Sequence, residues 1–549
     1  MKDLTKEIKA YALKNAIEFG KADGGRILPK LFQHGLLKEE IKEIMPGLQE
    51  IVKLVNKMKP SDRVEEFESL KGVVKEHEEK EKGLPEIDVS GISKIITRMA
   101  PEPSKYNHLG HALTFLLNYL YAQKYKGKCL LRFEDTNPEK AKQEYVDAMK
   151  EDVLDYLGIK TDSIRFVSDD MKLLYDYAEE LVNSKNAYVC FCDREKMQNL
   201  RHEGKECECR EFPLKIQKER WKEFLKGKYK VGEATLRIKG DMRSLNHVMR
   251  DSVIFRRVDA EHYKYGEKYK IWPMYDFYNP IEDSLMGVTL ILRSNEFDMR
   301  VELQDHIKKL LGLKKQKIIQ YGRFQVIDFT TQGREIRELV ESGQLIGWDD
   351  PRLITLKALK RRGIVKEAIY ELVNTVGLTK HPVNLDFDMI AAINRKIIDP
   401  IADRYSFVSD AVQLAIMDKP VIKKVEIPIH PDKKEKKIVK VGEISISKED
   451  YDSLKGKEVR LLHLYNIELQ DKNKAKCTSI ENKDIQKINW VSDGVKTQVL
   501  MPDGTWKSGL AEKAIGKLKV GAIIQFERFG FVRFDGKKKG VYEFWFAHK

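Results

Sequence analysis

The chain has 549 residues, 42% of them hydrophobic, which is enough for several domains with their own cores. No apolar run approaches the roughly 18 residues of a membrane-spanning helix, and the N-terminus lacks the apolar core of a signal peptide, so we expect no membrane association. Six cysteines in a chain of this length argue against a disulfide framework and suit the reducing cytoplasm. The formal net charge of +14 favours a polyanionic partner.

Residues 1–90 are predicted to be helical, because apolar residues recur there at helical spacing between short glycine-containing breaks. The stretch 76–88 is highly charged and is then interrupted by Gly83 and Pro85. This composition is typical of a linker, and we expect it to lead into the next domain.

The next segment predicts a strand, a loop and a helix in immediate succession. Ile95–Thr97 is β-branched, residues 100–103 hold two prolines that end a strand, and His108 opens a stretch with leucines at helical spacing. The free N–H groups of a helix start attract anions, His108 and His111 share one face of the first turn, and Gly110 leaves room for a ligand. An ordinary polar helix start, or half of a metal site, would carry the same spacing.

Strands and helices alternate through residues 91–185, with helices predicted at 110–125 and 138–157, which predicts a parallel sheet of Rossmann type with ligands at the carboxyl ends of its strands. Glu134 and Asp135 follow directly after the predicted strand Cys129–Phe133. A carboxylate there can hold an amino group or a metal, and the alternative is a plain helix cap, for which Thr136 or Asn137 serves equally well.

Four of the six cysteines lie close together within residues 186–270, as two Cys-x-Cys pairs. Four thiolates form a tetrahedral structural zinc site, although this spacing is tighter than the usual one. The alternative is an irregular knuckle of reduced thiols. The candidate ligands are Cys190, Cys192, Cys207 and Cys209.

Beyond residue 400 the sequence predicts short strands separated by turns, the pattern of β-barrels. The predicted strands are Ile444–Ile446, Val459–Leu462, Val495–Leu500, Ile523–Phe526 and Phe529–Phe534. Basic runs at 433–437 and 537–539 suit either phosphate contacts or solvated loops.

Several of these motifs, in this order, resemble the class I aminoacyl-tRNA synthetases of the glutamyl/glutaminyl branch, in their archaeal type. The resemblance rests on Arg98 and Glu102 before the histidine pair, and on Leu131–Pro138, Gly347–Leu353 and Arg361–Gly363 after it. The C-terminal segments 517–534 and 544–549 are similar to the end of the second anticodon-binding barrel of archaeal and eukaryotic-type members. The bacterial-type glutamyl enzyme ends instead in a helical cage.

The resemblance implies residue roles around ATP and glutamate. The His-x-Gly-His motif of the family binds ATP and stabilises the phosphate in amino-acid activation, and the family arginine in place of Arg293 pairs with the side-chain carboxylate of glutamate, a pairing that glutaminyl members lack. The implied catalytic residues are His108, Gly110, His111 and Arg334. The implied ATP-binding residues are His108, His111, Arg323, Gly333 and Arg334. The implied glutamate-binding residues are Arg98, Glu102, Glu134, Tyr275 and Arg293.

The second ATP motif departs from the family pattern. Residues 331–335 fall on a family sequence that is typically Met-Ser-Lys-Arg-Lys, so Gly333 occupies the position of the catalytic lysine and Arg334 is the one match. A cation on this loop normally neutralises phosphate charge in the transition state. We predict that Arg334 substitutes; the sequence leaves open that another lysine reaches the phosphates or that activation is slow.

The implied fold is multidomain α/β, with a Rossmann-type parallel-sheet catalytic domain, an inserted acceptor-binding domain, an N-terminal helical domain, a helical junction and C-terminal β-barrels. The predicted domains are 1–90 (N-terminal helical), 91–185 and 271–328 (the two catalytic halves), 186–270 (acceptor-stem insertion with a zinc knuckle), 329–400 (ATP loop and helical junction) and 401–549 (anticodon-binding β-barrels).

The implied activity is ligation of L-glutamate to the glutamate tRNA, with ATP and Mg²⁺, in a cytoplasmic monomer. Family members are strict for this tRNA or also glutamylate the glutamine tRNA, and the sequence leaves that choice open. Two alternatives remain: a glutaminyl enzyme, disfavoured by Arg293, and a catalytically reduced paralogue that only binds tRNA, motivated by Gly333.

Overall fold

The computed structural model describes residues 4–37, 40–74 and 83–549, and the chain divides into two compact units, Met1–Lys82 and Gly83–Lys549. The predicted linker at 76–88 falls largely on 75–82, outside the described residues. No helix in the described part of the chain has the length and apolar character needed to cross a membrane.

The first unit is helical, as predicted, with helices at Thr5–Phe19, Gly24–Leu31, Ile41–Lys57 and Pro60–Leu70. Leu13, Leu31 and Leu48 are fully buried in its core because they lie on the inward faces of three of these helices. The first helix ends at Gly20, whose positive φ of 78° suits the left-handed C-cap that glycine adopts without strain.

The second unit begins with a parallel sheet of Rossmann type, which confirms the predicted fold class. Its first three strands have the spatial order Ile164–Phe166, Lys128–Phe133, Ile96–Met99. A second parallel pair, Leu290–Ser294 and Lys317–Tyr321, continues this arrangement, since Thr289 N donates to Ile96 O at 2.9 Å. The helices of this region are Leu109–Lys124, Gln143–Lys150 with a π turn at Glu151–Tyr156, Met171–Asn183, Tyr275–Leu285 and Asp298–Leu310.

An antiparallel sheet interrupts this alternation between the three-stranded parallel sheet and the parallel pair. Its strands are Ala187–Cys190, Thr235–Ile238, Val253–Arg257 and Ile271–Pro273. Two helices, Arg194–Glu203 and Leu214–Leu225, lie between its first and second strands. The break in alternation that the sequence showed in residues 186–270 is therefore a real insertion of a different sheet type.

A helical region follows the parallel sheet and carries residues 331–335, which the sequence predicts to be the second ATP motif. A short parallel pair, Phe324–Val326 and Val383–Leu385, frames it. Its helices are Gly333–Glu341, Leu356–Arg362, Lys366–Val376 and Phe387–Ile398.

The C-terminal region forms two barrel-like sheets of seven strands each. The first holds, in spatial order, Arg404–Tyr405, Ile523–Phe526, Gly530–Lys538, Val541–His548, Val495–Leu500, Trp506–Ala511 and Phe407–Ser409. The second holds Lys487–Ile488, Glu458–Leu461, Asn466–Leu469, Lys474–Ser479, Val412–Met417, Ile444–Ile446 and Val491–Ser492. A hairpin, Lys424–Pro428 with Lys436–Lys440, and a helix, Lys448–Leu454, complete the region.

Candidate active site

The histidine pair caps the helix Leu109–Lys124 at its N-terminus. His108 is the N-cap residue; its Nδ1 accepts a hydrogen bond from Gly110 N, and Nδ1 of His111 accepts one from His108 N, both at 3.1 Å. The two ring centroids are 3.8 Å apart. The spacing that the sequence showed therefore builds a reciprocal capping box made of imidazoles instead of hydroxyl and carboxylate groups.

Both histidines are neutral at physiological pH. Burial lowers the pKa of His108 to about 3, with the charges of Lys105 and Arg323 adding to the effect, and burial lowers the pKa of His111 well below its ordinary value. Because Nδ1 of each ring accepts a backbone hydrogen bond, the proton of each neutral ring lies on Nε2. The pair thus offers two N–H donors without adding positive charge.

A cleft of about 470 Å³ opens in front of this helix start. Its lining includes His108, Gly110, His111, Arg323 and Thr331. The cleft brings most of the predicted ATP-binding residues together at the carboxyl ends of the parallel strands, where the fold places its ligands.

The predicted cation Arg334 lies elsewhere. Its side chain is 90% exposed and its Nε donates to Glu338 Oε1 at 2.9 Å, on the outer face of the helix Gly333–Glu341. Arg323 lines the cleft, but its Nη1 pairs with Glu296 Oε1 at 2.9 Å. The lysine in this cleft is Lys105, a residue that the sequence reasoning did not select.

A second cleft of about 380 Å³ lies beside the first strand. Glu102, Glu134 and Tyr275 line it, together with Phe297 and Arg300. Three of the five predicted glutamate-binding residues therefore share one cleft, with two carboxylates available for an amino group.

Arg293 is buried behind Tyr275 and carries a guanidinium that is only partly satisfied. Its Nη1 donates to Gln304 Oε1 at 2.9 Å and lies 3.5 Å from Tyr275 Oη, and the side chain is 5% exposed. Its Nε and Nη2 are buried and find no hydrogen-bond partner among the described residues. A buried fork of donors that has no carboxylate within ion-pair distance in the described part of the chain is chemically matched to a carboxylate ligand.

Arg98, the fifth predicted glutamate ligand, belongs to a charge network under the second cleft. Its Nε donates to Asp283 Oδ1 at 2.9 Å, and Arg132 bridges Asp283 Oδ1 at 2.7 Å and Glu134 Oε1 at 2.9 Å. Burial raises the pKa of the neighbouring Glu282 to about 8, so it is largely protonated at neutral pH. The network therefore balances two arginines with two carboxylates and fixes the orientation of Glu134.

Asp135, next to Glu134, is turned away from both clefts. Its carboxylate is fully buried and accepts hydrogen bonds from Ser168 N and Oγ at 2.9 and 2.7 Å and from Tyr263 Oη at 2.8 Å. The helix-cap alternative at Thr136 does not apply, because the next helix begins only at Gln143.

The four cysteines of the insertion lie together, with all four Sγ atoms within 4.8 Å of one another. Cys190 Sγ and Cys207 Sγ are 3.8 Å apart, the edge length of a tetrahedron with Zn–S bonds of about 2.3 Å. Arg237 Nη1 lies 3.6 Å from both of these sulfurs. The donor set and its nearby positive charge fit a zinc ion bound by thiolates.

Two residues of this site were missed by the sequence reasoning. Gln304 holds Arg293 from a neighbouring helix, and a helical glutamine carries no signal of that role. Lys105 had one available signal, since it is the cation immediately before the histidine motif.

Known proteins are similar to this chain over most of its length. Residues 94–400 match the family model described as tRNA synthetases class I (E and Q), catalytic domain, and residues 402–485 and 479–535 match two models of the anti-codon binding domain of the same class. A glutamate–tRNA ligase of Pyrococcus abyssi is 40% identical over 96% of this chain and 96% of its own length. One of Methanocaldococcus jannaschii is 36% identical over the whole of both chains. A crystal structure of a glutamate tRNA ligase from Elizabethkingia meningosepticum aligns with a TM-score of 0.40 at 17% identity, over 56% of this chain and 70% of that one.

Proposed function

The chain belongs to the class I tRNA synthetases of the E and Q type, and we propose that it is a glutamate–tRNA ligase that uses ATP. The observation that carries the choice of glutamate is Arg293, whose buried guanidinium keeps two N–H groups without a partner among the described residues. A carboxylate supplies both the missing hydrogen bonds and the missing negative charge, whereas the neutral amide of glutamine supplies no charge.

The amino acid occupies the second cleft. Its side-chain carboxylate meets Arg293 beside Tyr275, and its ammonium group meets Glu102 and Glu134, which line the same cleft. Arg98 does not contact glutamate in this arrangement. It pairs with Asp283 and so supports the network that orients Glu134. Because the side-chain carboxylate and the ammonium group of glutamate are both neutralised by these residues, its α-carboxylate is the group left to react.

ATP occupies the first cleft. The Nε2–H groups of His108 and His111 and the open backbone at Gly110 meet its phosphates, and Arg323 lies at the cleft wall. Mg²⁺ would accompany ATP and neutralise part of its charge. The α-carboxylate of glutamate attacks the α-phosphorus, pyrophosphate leaves, and a terminal ribose hydroxyl of tRNA then displaces AMP from glutamyl-adenylate; no protein nucleophile takes part.

The remaining parts of the chain serve tRNA in this proposal. The insertion at 186–270, held by a structural zinc ion on the four cysteines, contacts the acceptor end, and residues 401–549 contact the anticodon. The proposal takes the protein to be a cytoplasmic monomer. It takes the glutamate tRNA as the acceptor and leaves the glutamine tRNA to be measured.

The test is exchange of labelled pyrophosphate into ATP, measured with and without tRNA, since some activation reactions need it bound. We expect exchange that depends on glutamate and is at least about a hundredfold slower with glutamine at equal concentration, a difference of a few kcal/mol. Exchange that favours glutamine would support the glutaminyl alternative. A chain that binds tRNA but shows no exchange with either amino acid would be the catalytically reduced paralogue.

A further inference from the structure

The ATP cleft has a lysine of its own, and it does not come from the second ATP motif. Lys105 lies three residues before His108 and lines the cleft with both histidines and Arg323. Its Nζ donates to the backbone oxygen of Thr331 at 3.1 Å, on the loop that carries the second motif. Among the described residues, no carboxylate lies within ion-pair distance of its ammonium group, so its charge is available to a ligand.

Lys105 and Gly333 occupy adjoining space. A Cβ atom placed on Gly333 would lie 3.0 Å from Cβ and 3.1 Å from Cδ of Lys105. A side chain at position 333 would therefore begin where the stem of Lys105 now runs. The lysine that the family pattern predicts at position 333 is absent, and Lys105, which is adjacent to Gly333 in space, places a lysine in the same region.

The other cations near the cleft are less suited to the phosphates. Arg334 is exposed and pairs with Glu338, Arg323 pairs with Glu296, and both histidines are neutral. Burial lowers the pKa of Lys105, with Arg323 adding to the decrease and Glu102 opposing it. A partly desolvated ammonium group gains more from a phosphate than an exposed one does, because the local dielectric is lower.

We infer that Lys105 is the catalytic cation of glutamate activation in this protein, and that it replaces the lysine missing at position 333. This inference rests on the proposed function. In the activation step, a carboxylate oxygen of glutamate forms a bond to the α-phosphorus while the bond to the bridging oxygen breaks, and pyrophosphate leaves with that electron pair. Lys105 transfers no proton; its ammonium group stabilises the charge that develops on the pyrophosphate oxygens.

The first experiment removes the positive charge of Lys105 and keeps a side chain of similar length. Lys105→Met should lower the glutamate-dependent exchange rate by about a hundredfold or more, and Lys105→Arg should recover at least about a tenth of the parent rate. The affinity for tRNA should stay within about twofold in both. Lys172→Ala is the matched control, since Lys172 is exposed and lies outside both clefts.

The second experiment moves the lysine from position 105 to position 333, where the family pattern has it. Lys105→Gly should be as slow as Lys105→Met, and the double variant Lys105→Gly/Gly333→Lys should be at least about tenfold faster than Lys105→Gly alone, because the removed stem frees the space for the new one. A Lys105→Met variant that activates glutamate at the parent rate, or a double variant no faster than Lys105→Gly, would overturn the inference.

The two proposals fail in different ways. If the parent chain exchanges no pyrophosphate with glutamate, the proposed function fails. Equilibrium binding of MgATP then decides the role of Lys105 by itself. Weaker binding by Lys105→Met, by about fivefold or more, supports a phosphate-facing lysine. Equal binding by parent and variant overturns it.

Discussion

In the proposed function, the choice of glutamate depends on Arg293. Replacing it with alanine removes a buried charge whose partner is the substrate, so we expect kcat/KM for glutamate to fall by at least about a hundredfold. The KM for ATP serves as the internal control, because Arg293 lies outside the ATP cleft, and it should change by less than about twofold. Unaltered glutamate kinetics in Arg293→Ala would remove this residue from the pocket.

The site residues that could be predicted from the sequence are those whose neighbours in the chain form a recognisable helix or strand pattern. His108 and His111 begin a helix with a leucine-rich face, and Arg293 follows the apolar run Val288–Leu292, so local pattern alone places them at the sheet edge. Arg334 and Lys105 lie in or next to loops. The direction in which such a side chain points depends on contacts with residues that are distant in the sequence. Only the structure separates the exposed arginine from the lysine in the cleft.

At the scale of single elements, we predict that the cysteine knuckle of the insertion binds a metal ion. Purified protein should contain about one zinc ion per chain, and Cys207→Ser should lose it, because three thiolates at this spacing leave the tetrahedron incomplete. Cys477→Ser is the matched control, since Cys477 lies outside the cluster, and it should keep its zinc. Metal-free protein with four freely titratable thiols in the knuckle would contradict the zinc site.

The π turn Glu151–Tyr156 carries a buried carboxyl group that should make stability depend on pH. Burial raises the pKa of Asp152 to about 7, while Asn107 Nδ2 donates to its Oδ2 at 3.0 Å. The folded state therefore holds this proton longer than the unfolded state, whose pKa is near 3.9, and stability is lost as the pH rises from about 4 to about 7.

Asp152→Asn should remove that loss. The new amide keeps an acceptor for Asn107 and offers a donor to Asn107 Oδ1, which has no partner among the described residues. We expect the variant to melt at least about 2 °C above the parent at pH 8, with a smaller gain at pH 5, where the native aspartic acid is already protonated. A gain that is equal at both pH values would show that Asp152 does not titrate in this range.

Element boundaries were predictable where side chains alternate and failed where they do not. Val495–Leu500 and Ile523–Phe526 form at the predicted residues, because buried and more exposed side chains largely alternate along each of them. Ile444–Ile446 also forms at the predicted residues, with all three side chains buried. The hairpin strand Lys436–Lys440 overlaps the basic run 433–437, for which the sequence predicts phosphate contacts or a solvated loop; Lys436 and Lys440 are exposed, whereas Lys437 pairs with Glu512. The predicted helix 138–157 begins only at Gln143 and passes into the π turn, a change of hydrogen bonding that side-chain periodicity does not reveal.

At the scale of the whole catalytic unit, the signature Gly347–Leu353 connects the ATP cleft to a C-terminal sheet. Trp348 stacks on Tyr106, two residues before His108, with ring centroids 4.9 Å apart. Asp349, the next residue, pairs with Arg361 at 2.6 Å, and Arg361 forms a bidentate pair with Asp535 of the sheet at 3.1 and 2.7 Å. A continuous series of contacts therefore joins the matched anticodon-binding region to the loop that precedes the histidines.

We predict that this series couples tRNA binding to catalysis. Arg361→Ala should lower kcat for tRNA charging by about tenfold, within the usual range of coupling free energies of about 1–3 kcal/mol, while the Kd for tRNA changes by less than about threefold. The affinity should survive because Arg361 is one contact between two parts of the protein, and its guanidinium is already occupied by Asp349, Asp535 and the ring of Trp545 at 4.1 Å.

A double-mutant cycle decides whether the pair acts as a unit. If Arg361 works through Asp535, the double variant Arg361→Ala/Asp535→Asn should charge tRNA no more slowly than Arg361→Ala alone, since the second change removes a contact that is already lost. Lys172→Ala again provides the exposed control. Strictly additive losses, or a charging rate in Arg361→Ala equal to that of the parent, would show that the anticodon-binding region communicates with the ATP cleft by another route, or through the bound tRNA itself.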